Sequence, residues 1–439
     1  VLRVSDTSGP PATGDARDPD AEWPAGLSPG ERFVDDLLAE AHLAAPYQLA
    51  DMLARHGATL GVSDVVAYLA DLQQSDLVPL LPPGGPPSLG QHVSVLAVDS
   101  TLAGRCFQQV KVVTQQVGGG ALQVWLPLLD GSDRIGVLAV TVAEPTALER
   151  DGGVLRTRLL RLAGLTAELM VSKTMYGDTL VQLRRRGQMG LAAEMQWSLL
   201  PPLTFACKEV TIAAALEPAY EVAGDSVDYA VDPGSARFAI FDGMGHGLQA
   251  AQLASLAVAA YRNARRSGRS LLDTARIIDA AVTSAFRGAA FTTGVLAHLD
   301  TDTGLLTWIN VGHPDPLLLR GHRLARSLHA RPGLPFGLST AAGRTEATFT
   351  LGSEQLEPSD RVLLYTDGVT ETRSPDGDPY GVQRLTDLLG RNLAAGLPTP
   401  ETMRRVVRSL LAYQQGQLRD DATLLLVEWR SGNEQALVP

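Results

Sequence analysis

Cysteine is almost absent: Cys106 and Cys207 are the only two in 439 residues, and their separation fits no metal-binding or redox spacing. A reducing compartment is therefore expected, with both thiols packed in cores. Long apolar runs are missing as well. No stretch approaches the ~18 residues that a spanning helix needs. The opening Val-Leu-Arg-Val-Ser-Asp lacks the basic-then-apolar layout of a secretory leader, so a cytoplasmic location is the expectation. Basic charge is in deficit, with 37 Lys and Arg against 48 Asp and Glu and a net charge of −11. A broad footprint on nucleic-acid phosphates needs the opposite balance, so neither nucleic acid nor a membrane is an expected partner. Charged residues are only 19% of the chain and hydrophobic ones 45%, which is too little charge for a largely disordered chain and enough apolar material for real cores.

The length suggests two or three units. Residues 1–30 hold five prolines, four glycines and five acidic residues with little to bury, and a disordered tail is expected there. From Arg32 the apolar spacing becomes helical, and a second helix is expected over Tyr47–Arg55. Asp64–Ala70 and Leu77–Leu81 read as strands, ahead of a Pro-Pro-Gly-Gly-Pro-Pro loop at 82–87. Leu122–Leu129 and Ile135–Val142 read as a hairpin turning through Asp130-Gly-Ser-Asp133. Leu155, Leu159, Leu162, Leu165 and Leu169 mark one face of a helix. This order, with Val98–Phe107 and the Trp125-Leu-Pro-Leu-Leu-Asp-Gly hairpin, resembles a GAF sensory domain over 31–172. The resemblance implies a small-molecule or protein-signal sensor, and a homodimer formed through this domain and the helix after it. A structural module without a ligand fits the same residues equally well. Residues 173–202 are expected to be a helical linker, continuous from Thr179 to Leu200 and broken by Pro201-Pro202. Within it Arg184-Arg-Arg186 reads as a solvated helix face, ahead of a contact with an acidic partner.

From residue 210 onward apolar strands repeatedly deliver an aspartate beside a glycine or a small residue. Arg237-Phe-Ala-Ile-Phe leads into Asp242-Gly-Met-Gly-His-Gly247, and Arg361–Thr366 leads into Asp367-Gly-Val-Thr-Glu371. Ala223-Gly-Asp225 follows the strand-like Thr211–Leu216, and Asp420-Asp421-Ala-Thr423 precedes Leu424–Trp429. One such aspartate is most simply a turn former. Four together, with no basic partner nearby, repel one another unless divalent cations neutralise them. Oxygen-only ligands point to Mg²⁺ or Mn²⁺ and away from zinc. Glycine after the aspartate leaves room for a backbone carbonyl to approach a metal. Two such ions would activate a water for in-line displacement at phosphorus.

Glu194-Met-Gln-Trp-Ser-Leu-Leu-Pro-Pro202, Ala223-Gly-Asp-Ser-Val-Asp228, Asp242–Gly247, Phe291-Thr-Thr293, Asn310-Val-Gly-His-Pro314, Gly333-Leu-Pro-Phe-Gly337, Tyr365–Glu371 and Asp420–Thr423 stand in the order seen in SpoIIE/RsbU-type protein serine phosphatases of the PPM class. The resemblance covers about 190–430, and the catalytic domain is set at 203–432. It implies an α+β fold, an αββα sandwich with two Mn²⁺ or Mg²⁺ ions in a cleft at one end. Carried over position by position, Asp242 would bridge the ions, Gly243 would offer its carbonyl, Asp367 and Asp420 would hold one ion, and Asp225 would act on the same cluster. Asp228 is given a structural or supporting role and Asp421 a supporting one, while His246 reads as a structural residue of the Gly-His-Gly turn ahead of one that orients water or phosphate. The implied substrate is a phosphorylated anti-sigma-factor antagonist of the STAS fold. Ala223 and Ser226-Val227 depart from the family's glycine and aromatic pair, which puts substrate contacts around Asp225 in doubt. Met244 stands where distant members carry a histidine that protonates the leaving group, so that role is not transferred. Thr292 and Thr293 read as strand residues, and His313 as a packing or loop hydrogen-bond residue. A haloacid-dehalogenase-type nucleophile at Asp367 would want a second aspartate two places on, where Val369 stands. A decayed, non-catalytic binding module is the remaining alternative.

Overall fold

The computed structural model describes residues 29–84, 93–217, 220, 224–339, 348–415, 418 and 420–430. The expected tail lies outside the described residues except for Pro29 and Gly30, as do Gly85, Pro86 and Pro87 of the proline-rich loop and Ala223 of the acidic segment. Two compact units divide at Ala44. In the first, α1 (Pro29–Leu43) buries Phe33, Leu37 and Ala41 along one helical face.

The second unit opens with a 3₁₀ turn (Pro46–Gln48) and α2 (Leu49–Thr59). It continues through β1 (Ser63–Ala70), β2 (Asp76–Pro79), β3 (Leu96–Ala97), α3 (Leu102–Gln109), β4 (Val113–Gln116), β5 (Leu122–Asp130), β6 (Asp133–Val142) and α4 (Val154–Thr174). The strands pair antiparallel in the order β3-β2-β1-β6-β5-β4. The β5–β6 hairpin forms where the alternating apolar runs and the Asp130–Asp133 turn place it. Cys106 and Phe107 of α3 close one face over Val66, Tyr68 and Val137, and burial pushes the Cys106 thiol up to about 12. Cys106 is thus the expected core thiol, whereas Cys207 is half-buried.

The linker departs from expectation. Instead of one helix there are two short ones, α5 (Thr179–Leu183) and α6 (Leu191–Leu199), separated by residues 184–190. Gly187 and Gly190 weaken helix propensity there, and the backbone finds partners outside the segment. Leu72 N donates to Arg184 O at 3.1 Å, and Arg186 N donates to the Tyr220 hydroxyl at 2.8 Å. Nor is the arginine triplet a solvated face. Arg184 Nε donates to Ala70 O at 3.1 Å, Arg185 pairs with Glu194 at 2.6 Å, and Arg186 pairs with Asp76 at 3.5 Å.

The remaining chain forms β7 (Thr204–Ala206), β8 (Val210–Glu217), β9 (Asp225–Asp232), β10 (Ser235–Gly243), α7 (Leu248–Arg266), α8 (Leu271–Phe286), β11 (Thr292–Asp300), β12 (Leu305–Val311), β13 (Leu317–Arg320), β14 (Arg323–Ser327), β15 (Gly352–Gln355), β16 (Arg361–Tyr365), α9 (Asp367–Glu371), α10 (Gly381–Ala394), α11 (Thr399–Tyr413) and β17 (Ala422–Trp429). Two antiparallel sheets result, β15-β12-β11-β10-β9 and β14-β13-β16-β17-β8-β7. Their strands read as nearly continuous apolar runs because both faces are covered. Phe238 and Ile240 of β10 meet Val362, Leu364, Leu425 and Val427 between the sheets. Ala239 and Phe241 face α7 and α8, while Leu424 and Leu426 face α10 and α11. This is the expected αββα sandwich.

The N-terminal sheet is docked on the sandwich by charge. Arg134, at the start of β6, reaches Glu401 of α11 at 2.9 Å and stacks over Phe107 at 4.5 Å. Glu401 also takes Arg404 and Arg405 at 2.9 Å each, and Arg404 reaches back to Asp99 at 2.6 Å. Gln73 donates to Glu217, the last residue of β8, at 3.1 Å.

Candidate active site

Strand alternation builds the site. Asp242 continues the inward face of Phe238 and Ile240 on β10, and Asp225 precedes the inward Val227 by two on β9. The two aspartates are direct partners across the β9–β10 ladder. From the other sheet, Thr366 follows the inward Val362 and Leu364 of β16, and Thr423 precedes the inward Leu425 and Val427 of β17. The apolar filling therefore gives way, at one end, to two carboxylates and two hydroxyls. Asp367 begins α9 immediately after Thr366, and Asp420 and Asp421 immediately precede β17.

Their mutual electrostatics are those of uncompensated acids. Burial, then the charges of Asp367, Asp420 and Asp421, push Asp242 up to about 7. Burial and the neighbouring Asp242 and Asp421 hold Asp225 well above the carboxylate range, against the Thr366 hydrogen bond that lowers it. Asp367 is raised by burial, Asp420 and Glu371. Among the described residues, acids and not basic side chains are the principal charged neighbours in each of these balances. Among the described residues, no three His, Cys, Asp or Glu side chains converge at metal-ligating distances. The carboxylates lie near enough to raise one another's pKa, as like charges kept apart by repulsion do. A set of hard oxygen donors with excess negative charge fits Mg²⁺ or Mn²⁺.

Asp225, 2% exposed, is held on three sides. The Thr366 hydroxyl donates to its Oδ2 at 2.7 Å, Gln196 Nε2 of α6 donates to its carbonyl, and its own N–H faces Asp421 Oδ2 at 3.4 Å. Asp421 Oδ2 also accepts from Gly224 N at 2.7 Å, so it braces the segment that delivers Asp225. Asp228 stands elsewhere: on the outward face of β9, 1% exposed, it pairs with Arg262 at 2.7 Å and Arg265 at 3.2 Å, both on α7. His246 is exposed, between Gly245 at φ 88° and Gly247 at φ 76°. His313 is buried, and its Nδ1 lies 2.9 Å from the Thr293 hydroxyl. Thr292, the first residue of β11, donates to Asp242 O at 2.8 Å.

The glycines beside the aspartates have a role that the sequence pattern did not disclose. A Cβ at Gly368 would lie 1.9 Å from Asp421 O, and one at Gly224 2.4 Å from Gly243 O. Both are needed for backbone to pass backbone where the strands converge. Gly243 N in turn donates to Gly224 O at 2.9 Å. Thr366 was missed as a functional residue. Its signal was present in the period-two pattern, which makes it the next inward position after Leu364.

Residues 232–430 match the family model described as Stage II sporulation protein E (SpoIIE). Asp242, Asp367 and Asp420 fall inside that match, and Asp225 and Asp228 just before it. Protein IcfG of Synechocystis sp. is 30% identical over 140 residues, covering 32% of this chain and 21% of IcfG. Phosphoserine phosphatase RsbU of Bacillus subtilis is 26% identical over 250 residues, covering 56% of this chain and 71% of RsbU. The chain thus spans about a fifth of the length of one of these relatives and under three quarters of the other. Among solved structures, the SiaA-PP2C domain of Pseudomonas aeruginosa is 23% identical with a TM-score of 0.45, covering 54% of this chain and 94% of that one. The PP2C phosphatase domain of SpoIIE from Bacillus subtilis, with a fragment of its regulatory domain, is 19% identical with a TM-score of 0.43, covering 56% of this chain and 76% of that one.

Proposed function

We propose that this chain, whose residues 232–430 match the SpoIIE family model and which is similar to RsbU, is a PPM-class phosphatase that hydrolyses phosphoserine or phosphothreonine on a regulatory protein. The observation that carries the reading is the gathering of Asp225, Asp242, Asp367 and Asp420 at one end of the sandwich, with acids and no basic side chain, among the described residues, as their principal charged neighbours. Asp242, Asp367 and Asp420 would hold two Mn²⁺ or Mg²⁺ ions, with the Gly243 carbonyl and Asp225 completing the set. When bound, such ions supply an activated water and offset the charge that develops as the P–O bond to the serine breaks. The protein's own part is to keep the carboxylates aimed and backed by apolar core. Asp421 and Gln196 fix the backbone that carries Asp225, and Thr292 fixes the Asp242 carbonyl.

The substrate we infer is a phosphorylated STAS-fold antagonist of an anti-sigma factor, supported by the likeness to RsbU and by the motif set. The GAF-like module is read as the controlling element and as the route to a homodimer; its charged docking on α11 supports the control. Phosphate release from a phosphoserine-bearing STAS protein, with and without Mn²⁺, is the direct test. Metal-dependent release is expected, and release indifferent to chelator would refute the reading. Loosening the docking with Arg134→Met should change the release rate; an unchanged rate would remove the module from control.

A further inference from the structure

Thr366 occupies the N-cap position of α9, and threonine at an N-cap ordinarily turns its hydroxyl onto the helix's free N–H groups. Here it does not: the side chain makes no capping hydrogen bond. Its hydroxyl is spent across the gap between the sheets, donating to Asp225 Oδ2 at 2.7 Å and accepting from Thr423 N at 2.9 Å. The backbone N–H of Thr366 donates in turn to Thr423 O at 3.0 Å, extending the β16–β17 ladder by one step beyond Tyr365 and Leu424. Thr366 is 1% exposed and Thr423 0%.

These bonds close a ring. Asp225 joins Thr366 through its carboxylate, and Thr366 joins Thr423. The chain runs back from Thr423 to Asp421, and Asp421 Oδ2 takes the Gly224 N–H next to Asp225. Asp367 is covalently next to Thr366, and Asp420 is one residue outside the ring. We propose that Thr366 is the positioning residue of the carboxylate cluster: one hydroxyl fixes the side chain of Asp225 relative to the segments that carry Asp367 and Asp420. The inference rests on the metal-site reading above. It assigns Thr366 no contact with substrate.

The test uses the full chain and Mn²⁺ itself as probe, with binding followed by titration calorimetry or by the electron paramagnetic resonance of free Mn²⁺. Thr366→Val keeps the shape and removes the hydroxyl. It should weaken Mn²⁺ binding about tenfold and raise the Mn²⁺ concentration for half-maximal phosphate release by a similar factor, while the KM for the phosphoprotein at saturating Mn²⁺ stays within twofold. Thr366→Ser, which restores the hydroxyl, should recover wild-type binding. Should the valine variant not fold, Thr366→Ala and Thr366→Ser form the same pair. Wild-type Mn²⁺ affinity in a folded hydroxyl-free variant overturns the positioning role, as does an equal loss in the serine variant. Asp242→Asn separates the two failures: if it binds Mn²⁺ as tightly as wild type, the metal-site reading itself falls.

Discussion

Two buried carboxylates in this molecule, each in its own group of charges, are treated in opposite ways. Glu401, 0% exposed, is met by the guanidinium groups of Arg134, Arg404 and Arg405, each at 2.9 Å. Asp225, 2% exposed, has Asp242 and Asp421 as its charged neighbours. Burial alone would raise both. Arg404 and then Arg134 outweigh it at Glu401 and bring its pKa below the ordinary glutamate value, whereas Asp242, in the second group, is pushed up to about 7. Where the protein supplies its own cations, acid residues fasten one part of the fold to another. Where it withholds them, like charges stand together uncompensated, as groups at functional sites often do.

That contrast can be broken most forcefully at Asp242. Asp242→Asn should lower Mn²⁺-dependent phosphate release by on the order of 10³-fold, the scale seen when one charge-stabilising group leaves an active site. Its metal-free thermal stability should be unchanged or higher, because a repulsive charge has gone. Activity within tenfold of wild type would sink the assignment. Glu401→Gln should do the reverse. Unpairing buried Arg134 and Arg404 should cost about 3 kcal/mol in denaturant unfolding, with release at saturating Mn²⁺ from a small phosphoester within about twofold. A loss of chemistry without loss of stability would mean that the two clusters are not separable.

A third measurement sharpens the difference. Mn²⁺ at about a hundred times its dissociation constant should stabilise wild type and Glu401→Gln by about 2.7 kcal/mol, and Asp242→Asn far less. Equal stabilisation of all three would place the ion elsewhere. The smallest effect is in pH. Asp242 has a folded pKa near 7 against an ordinary 3.8, so between those values the folded state binds more protons than the unfolded one. Metal-free stability should therefore rise, by of order 1 kcal/mol, as pH falls from 8 towards 5. Glu401 is shifted the other way: its contribution is intact above the ordinary 4.5 and is lost only as pH falls below that, through its lower folded value. Melting curves of wild type and Asp242→Asn across this range would show the rise in the first only; a rise of the same size in both would assign it to another group.

What could be read from the sequence follows the range of each signal. Asp242, Asp367 and Asp420 were legible as strand-end aspartates because each adjoins a strong apolar run, and Asp225 through its Ala-Gly-Asp segment. The β5–β6 hairpin was legible because alternation and turn lie within twenty-one residues of each other. Arg134 and Glu401 are 267 positions apart, and no local pattern announces such a pairing. Asp228, read as structural or supporting, has a structural ion pair whose partners were illegible for the same reason, since Arg262 and Arg265 belong to a helix beyond the next strand. The linker looked continuous because its leucines keep helical spacing. The break came from backbone partners, Leu72 and Tyr220, that lie outside it.

The inward alternation of β9, β10, β16 and β17 has a consequence for folding. A slip of one residue in any of these ladders turns the whole strand over, so Asp225, Asp242 or Thr366 would exchange places with an outward-facing neighbour beneath the helices. The arrangement that gathers the four carboxylates exists only when all four strands are in step. Any ligand that needs them together is thereby a proofreader of strand assembly: it rewards the correctly threaded sandwich and ignores the near misses.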